Sequence, residues 1–210
     1  MMRKKMVGVF GGSFDPPHMG HRALVEVAKE RLKLDEVWVI PVGLAVHRSL
    51  TSGVAAAQRL QWVETAFSDL DYVKVLSWEV DQVEAVPTIE TMRRVVSMLD
   101  TVPCWLMGMD VWRSFPSWIA YPEHLALCNV VVLDRSGESL VMHEAWKRVE
   151  TLNGLPAGHV CYLEVSLPAV SATQIRQTMM AGQEISTGVD ERIKNDIRAA
   201  YVGKVVMENV

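Results

Sequence analysis

No stretch of this chain is apolar enough to cross a bilayer. The longest nearly apolar run, residues 37–46, holds a proline and a glycine and falls well short of the roughly 20 residues a spanning helix needs. The basic start, residues 1–6, leads into an apolar run ending at Phe10, too short for a signal-peptide core. Cysteine is scarce: Cys104, Cys128 and Cys161 are odd in number, widely spaced and without a CxxC pair. That excludes a disulfide framework and a zinc-ligand pattern, and predicts three small core residues in a reducing, cytoplasmic setting. An excess of basic charge is missing too. Lys and Arg number 21 against 25 Asp and Glu, a net charge of −4. This excludes a general nucleic-acid binder, and any anionic ligand must meet a local positive site. Neither G-x-G-x-x-G nor G-x-x-x-x-G-K-[ST] occurs, which removes the Rossmann dehydrogenases and the P-loop enzymes. There is no internal repeat and no low-complexity segment.

What is present is a globular chain of 210 residues, 50% apolar and 22% charged, long enough to bury one sizeable core in one domain over 1–210. Short apolar runs alternate with helical spacing. Strands are predicted at 7–10, 36–40, 71–80, 104–107, 129–133 and 159–164. Helices are predicted at 16–34, 55–67, 88–99 (capped by Thr88), 139–150, 171–180 (capped by Ser171) and 189–201. The alternation predicts an α/β fold: a Rossmann-like, doubly wound, mainly parallel sheet with helices on both faces. In such sheets ligands sit outside the carboxyl ends of the strands, near a switch point, so the loops after strands carry the information.

The first such loop reads GGSFDPPHMGH over residues 11–21. Gly11 and Gly12 let the backbone approach a ligand and expose N–H groups, and Ser13 adds a hydroxyl. Pro16 and Pro17 suit a helix start. His18 and His21 then fall in the first turn at i and i+3, on one face, with Gly20 removing a side chain beside them. A helix N-terminus already attracts anions, and two imidazoles there make a phosphate clamp. Asp15, His18 and His21 also have ligand-like spacing, but no second His/Cys cluster completes a metal site. The second loop reads VSATQIR over 170–176. Ser171, Thr173 and Arg176 together suit a polyphosphate, although S-x-x-Q is also an ordinary capping motif.

GGSFDPPHMGH resembles the signature of the HxGH nucleotidylyltransferases, in the form carried by the bacterial nicotinate-nucleotide adenylyltransferases. VSATQIR resembles that family's second signature, with Val170 for Ile, and the two stand in the expected order. The resemblance covers nearly the whole chain. PVGLAVHR (41–48) resembles P-x(3–4)-PPH-[KR], with Ala45 and Val46 for the prolines; it implies His47 and Arg48 as contacts to the nicotinate nucleotide. Arg59 matches a family arginine, for which a structural salt bridge is expected. VPTIETM (86–92) resembles S-Y-T-x-[DQ]-T-L and implies that the Thr88 amide meets the nicotinate carboxylate, with Pro87 in the place of Tyr. WLMGMD (105–110) implies Gly108 and Asp110 at the ATP, and an N-cap role for Asp110 is the plainer alternative. FPSWIAY (115–121) implies Trp118 stacked on the pyridine ring, and VLDRSG (132–137) implies Arg135 beside the adenine.

The resemblance implies an enzyme joining ATP and nicotinate mononucleotide into nicotinate adenine dinucleotide and pyrophosphate. A phosphate oxygen attacks the α-phosphorus in line, without a general base or a covalent intermediate. His18, His21 and Arg176 are the implied catalytic residues. Gly11, Gly12, Ser13, Phe14, Gly108, Asp110, Arg135, Ser171 and Thr173 are implied at ATP. Mg²⁺ arrives with ATP, held by phosphates and waters; no protein metal site, nucleic acid or membrane is implied, and a homo-oligomer stays open. Three alternatives stand beside this: the same transfer to nicotinamide mononucleotide, transfer to another phosphate acceptor, and a silent nucleotide-binding paralogue. The last would be expected to lose His18, His21 or Arg176, which are all present.

Overall fold

A computed structural model of the chain describes residues 4–45, 52–135, 139–185 and 187–202. The strands are β1 (Val7–Gly12), β2 (Glu36–Pro41), β3 (Val73–Val75), β4 (Cys104–Gly108), β5 (Asn129–Asp134), β6 (Lys147–Val149) and β7 (His159–Glu164). They form one sheet in the order β3-β2-β1-β4-β5-β7-β6, parallel at every pairing. The helices are α1 (Met19–Leu32), α2 (Ala56–Phe67), α3 (Thr88–Ser97), α4 (Met109–Ser114), α5 (Ala172–Met180) and α6 (Lys194–Tyr201).

The strands read as continuous apolar runs because both faces of the sheet are covered. Phe10, Val37, Val39, Leu106 and Val131 pack under α1, α2, α5 and α6, meeting Val25, Trp62, Ile175 and Ile197. Their neighbours Val7, Val9, Trp38, Ile40, Trp105 and Val132 point the other way, against Met92 and Val95 of α3 and Trp112 of α4. The chain builds outward from β1 to β3, then returns to lay β4 on the other side of β1. The β1–β4 register covers only Gly8↔Cys104 and Val9↔Trp105. The carboxyl halves of both strands therefore border a crevice at the switch point, the place where open α/β sheets bind ligands. All three cysteines are buried and free; burial pushes the Cys104 thiol up to about 12. No helix among the described residues is long and apolar enough to cross a membrane.

Several elements differ from the sequence expectation. Helix 16–34 begins at Met19 because His18 caps it, and ends at Lys33 in the left-handed region. Strand 71–80 shrinks to Val73–Val75 at the sheet edge, after which Trp78 turns to pack on Trp38 and under Arg94. Thr88 is not the cap of α3: Pro87 takes the extended cap conformation and Thr88 becomes the first helical residue. The helix expected at 139–150 does not form. The Trp112 indole donates to the Val141 carbonyl at 2.8 Å, and a His143 ring nitrogen lies 2.6 Å from the Trp112 carbonyl. These bonds hold the segment in an irregular path with a turn at residues 144–145, from which β6 starts. The last helix starts at Lys194 rather than 189, and the short α4 was not foreseen.

Candidate active site

The amino end of α1 lies where β1 opens into the crevice. His18 is its cap residue and His21 its third helical residue, and they cap one another. The His21 amide donates to His18 Nδ1 at 3.3 Å, and the His18 amide donates to His21 Nδ1 at 3.2 Å. The rings stack with centroids 3.6 Å apart and planes 16° from parallel. Because each Nδ1 accepts an amide hydrogen, each neutral ring carries its proton on Nε2. Burial, then the Arg135 charge, lowers the His18 pKa from 6.5 to about 4. Burial, then His18 itself, holds His21 well below its ordinary value. The pair is therefore neutral at rest and presents two N–H donors. An arriving anion would favour the charged form.

Packing sets this geometry. A Cβ on Gly20 would stand 3.0 Å from the His18 ring and 3.3 Å from Val170 Cγ1, so a larger residue there would push the two signatures apart by a few tenths of an ångström. The Met19 amide donates to the Gly188 carbonyl at 2.9 Å on the same side. Phe14 is at φ 46° and 1% exposed. Its ring meets Phe10 and His21 edge-on at 5.5 and 4.9 Å. The ring is a core support under His21, which leaves the main chain of Phe14 for the expected ATP contact. Gly11, Gly12 and Ser13 line the loop above it, half-buried.

The second signature docks onto the first. Ser171 caps α5, its hydroxyl accepting from the Gln174 amide at 3.2 Å, so the capping pattern is realised. Arg176 donates through Nη1 to the Asp15 carbonyl and through Nη2 to Thr173 Oγ1 at 3.2 Å. Its Nη1 also lies 3.8 Å from the Asp15 carboxylate. The fold thus gathers Gly11–Ser13, His18, His21, Thr173 and Arg176 at one end of the sheet. Asp15 is no partner of the histidines: its carboxylate takes hydrogen bonds from Ser52 and Tyr201. Among the described residues no three His, Cys, Asp or Glu side chains converge as metal ligands.

Across the crevice, Gly108 ends β4 and caps α4, and a Cβ there would fall 2.7 Å from an Asp110 oxygen. Asp110 lies in the first turn of α4, so the N-cap alternative for it does not hold. Arg135 is exposed at the end of β5, and its charge reaches His18. Trp118 is half-buried, edge-on to Phe115 at 5.0 Å. Thr88, as first residue of α3, has an amide with no acceptor inside the helix. His47 and Arg48 lie outside the described residues.

Two supporting groups, Glu79 and Tyr201, escaped the sequence reading, and Arg59 does something other than the salt bridge expected of it. Among the described residues it pairs with no carboxylate; 1% exposed, it donates to the Ser13 carbonyl and, at 2.8 Å, to the Gly43 carbonyl. It ties the loop after β1 to the loop after β2. Gly43 in turn presses on the next layer: a Cβ there would sit 2.0 Å from the Glu79 carbonyl oxygen. Glu79 is buried and accepts from Thr91 of α3 at 2.6 Å, and burial lifts its pKa from 4.5 to about 7. Tyr201, fully buried at the end of α6, donates to Asp15 at 2.6 Å. The available signal was charge in apolar company: Asp15 between Phe14 and Pro16, Arg59 beside Leu60 and Trp62.

Known proteins share this chain's sequence and fold. The cytidylyltransferase-like family model matches residues 9–178. A protein of Pseudomonas aeruginosa named as a nicotinate-nucleotide adenylyltransferase is 34% identical over 210 residues, covering 94% of this chain and 97% of its own. One of the same name from Albidiferax ferrireducens is 38% identical over 133 residues, 63% of this chain and 67% of its own. Among solved structures, Plasmodium falciparum nicotinic acid mononucleotide adenylyltransferase complexed with NaAD is similar in fold, with a TM-score of 0.63 and 16% identity, covering 97% of this chain and 93% of that one. The stacked histidine pair, the docked second signature and these matches lead to one conclusion: the chain belongs to the cytidylyltransferase-like family, among the nicotinate-nucleotide adenylyltransferases.

Proposed function

We propose that the chain transfers the adenylyl group of ATP to nicotinate mononucleotide, giving nicotinate adenine dinucleotide and pyrophosphate. The observation that carries the residue roles is the reciprocal His18–His21 cap, which fixes two Nε2–H donors at a helix amino end beside Arg176. The nucleophile is a phosphate oxygen, already anionic, so no base is needed. It attacks the α-phosphorus, a new P–O bond forms, and the α–β P–O bond breaks as pyrophosphate leaves. Catalysis is then positioning and charge stabilisation.

In this reading the amides of Gly11 and Gly12 and the Ser13 hydroxyl hold the triphosphate. His18 and His21 donate to the reacting phosphate, and Ser171, Thr173 and Arg176 receive the departing β- and γ-phosphates. Arg135 completes the positive field around His18. Gly108 and Asp110 meet the nucleoside, while the Thr88 amide, Trp118, His47 and Arg48 meet the nicotinate nucleotide. Magnesium enters on the triphosphate as MgATP, held by phosphates and waters.

Pyrophosphate release with MgATP tests the reading, comparing nicotinate with nicotinamide mononucleotide. A clear preference for the acid is expected, because the amide at the first position of α3 donates to a carboxylate more strongly than to a neutral amide. Equal use of both would redraw the ring pocket, and release with neither would overturn the assignment.

A further inference from the structure

The Asp15 carboxylate is 3% exposed, and a buried negative charge beside a polyphosphate site costs energy unless it holds something. Its Oδ1 accepts two hydroxyl hydrogens, from Tyr201 at 2.6 Å and from Ser52 at 2.7 Å. Its Oδ2 lies 3.8 Å from Arg176 Nη1, and the same nitrogen donates to the Asp15 main-chain carbonyl. Two neutral donors hold one oxygen without cancelling the charge, and the Arg176 guanidinium stands within ion-pair distance of the other, with the buried Arg59 charge also acting on the carboxylate. Tyr201 comes from the far end of the chain: it closes α6, and its ring rests near Trp62 with centroids 6.1 Å apart. Helix α6 packs on α5, which carries Arg176.

We propose that Tyr201 is a positioning residue for the transfer reaction: by fixing Asp15 it sets the direction of the Arg176 fork. The inference rests on the role given above to Arg176 at the departing phosphates. Tyr201 touches no substrate; it acts through Asp15. Ser52 donates to the same oxygen, so one arm of the carboxylate is held by two hydroxyls brought from distant parts of the chain.

The test is a double-mutant cycle on Tyr201→Phe and Arg176→Ala, read by steady-state kinetics and by calorimetric titration of MgATP. Tyr201→Phe keeps the ring and removes one buried hydrogen bond. The expected result is a fall of about tenfold in kcat/KM for MgATP, from loss of one such bond to a charged group. KM for the acceptor should stay within about twofold. In the Arg176→Ala background the same change should cost less than about twofold. Losses that multiply in the double variant would overturn the inference, as would full activity in Tyr201→Phe with a normal far-ultraviolet spectrum. If Tyr201→Phe fails to fold, Asp15→Asn carries the same cycle, keeping an acceptor for the hydroxyls while removing the charge that faces Arg176. Absence of pyrophosphate release by the unmodified protein would count against the proposed reaction alone. The cycle is then read from MgATP affinity, where non-additivity supports the coupling and additivity refutes it.

Discussion

Replacing Arg59 by Met should be among the most damaging single changes outside the two signatures. The guanidinium is 1% exposed and donates to the carbonyls of Ser13 and Gly43. Met fills a similar volume and leaves both carbonyls without a donor. Each orphaned buried acceptor costs about 1–3 kcal/mol. Against that, the change relieves a buried cation whose Nε finds no partner among the described residues and whose pKa burial already lowers. The net loss is about 3 kcal/mol, smaller than the sum of the two orphans. With a urea slope of about 2 kcal/mol/M this moves the unfolding midpoint down by about 1.5 M. Arg59→Lys keeps the charge and can satisfy one carbonyl, so it should fall between wild type and Met. Urea unfolding of the three proteins, with equal slopes as the condition for comparison, decides. A Met variant within about 1 kcal/mol of wild type would refute the account of Arg59 as the tie between the two loops.

Two further outcomes follow from the same geometry. His21→Ala should lower kcat in the pyrophosphate assay by roughly 10²–10³, as for loss of one preorganised donor, and should cost about 1 kcal/mol of stability through the broken cap; near-normal turnover would remove His21 from the reaction. Glu79, lifted from 4.5 to about 7, keeps its proton in the folded state where the unfolded chain has lost it. Its contribution is thus complete below about pH 4.5 and fades as pH rises through about 7. Glu79→Gln should therefore gain on wild type by up to about 3 kcal/mol between pH 5 and pH 8. Parallel urea midpoints at the two pH values would contradict this.

Much of the sheet was legible because its strands are buried on both faces. Val130, Val131 and Val132 sit in a run that is apolar without interruption, and periodicity is not needed to see it. The two signature loops were legible because glycines, prolines and paired histidines leave a local signal. What was missed depends on contacts distant in sequence. Residues 139–150 have apolar spacing suited to a helix, yet Trp112 and His143 trade bonds with backbone carbonyls and hold the stretch out of helical shape. The edge strand at Val73–Val75 stops early because only β2 supports it. Asp15 was visible as part of the motif, but its partner Tyr201 lies 186 positions away, and no local pattern records such a pairing.

The mutual cap of His18 and His21 narrows what adaptation can do at this helix end. Each position must offer a lone pair to an amide on one side of the ring and an N–H on the other, while staying uncharged at rest. Lysine and arginine have no lone pair to give, so a permanent cation inserted at either place would unfasten the helix start that orients it. Aspartate and serine could fasten the helix and would lose the outward ring donor. Selection for a firmer hold on an anion is thereby steered away from the pair and onto its surroundings. The charge can be raised or lowered at exposed sites such as Arg135, with the two imidazoles left to fasten the helix start.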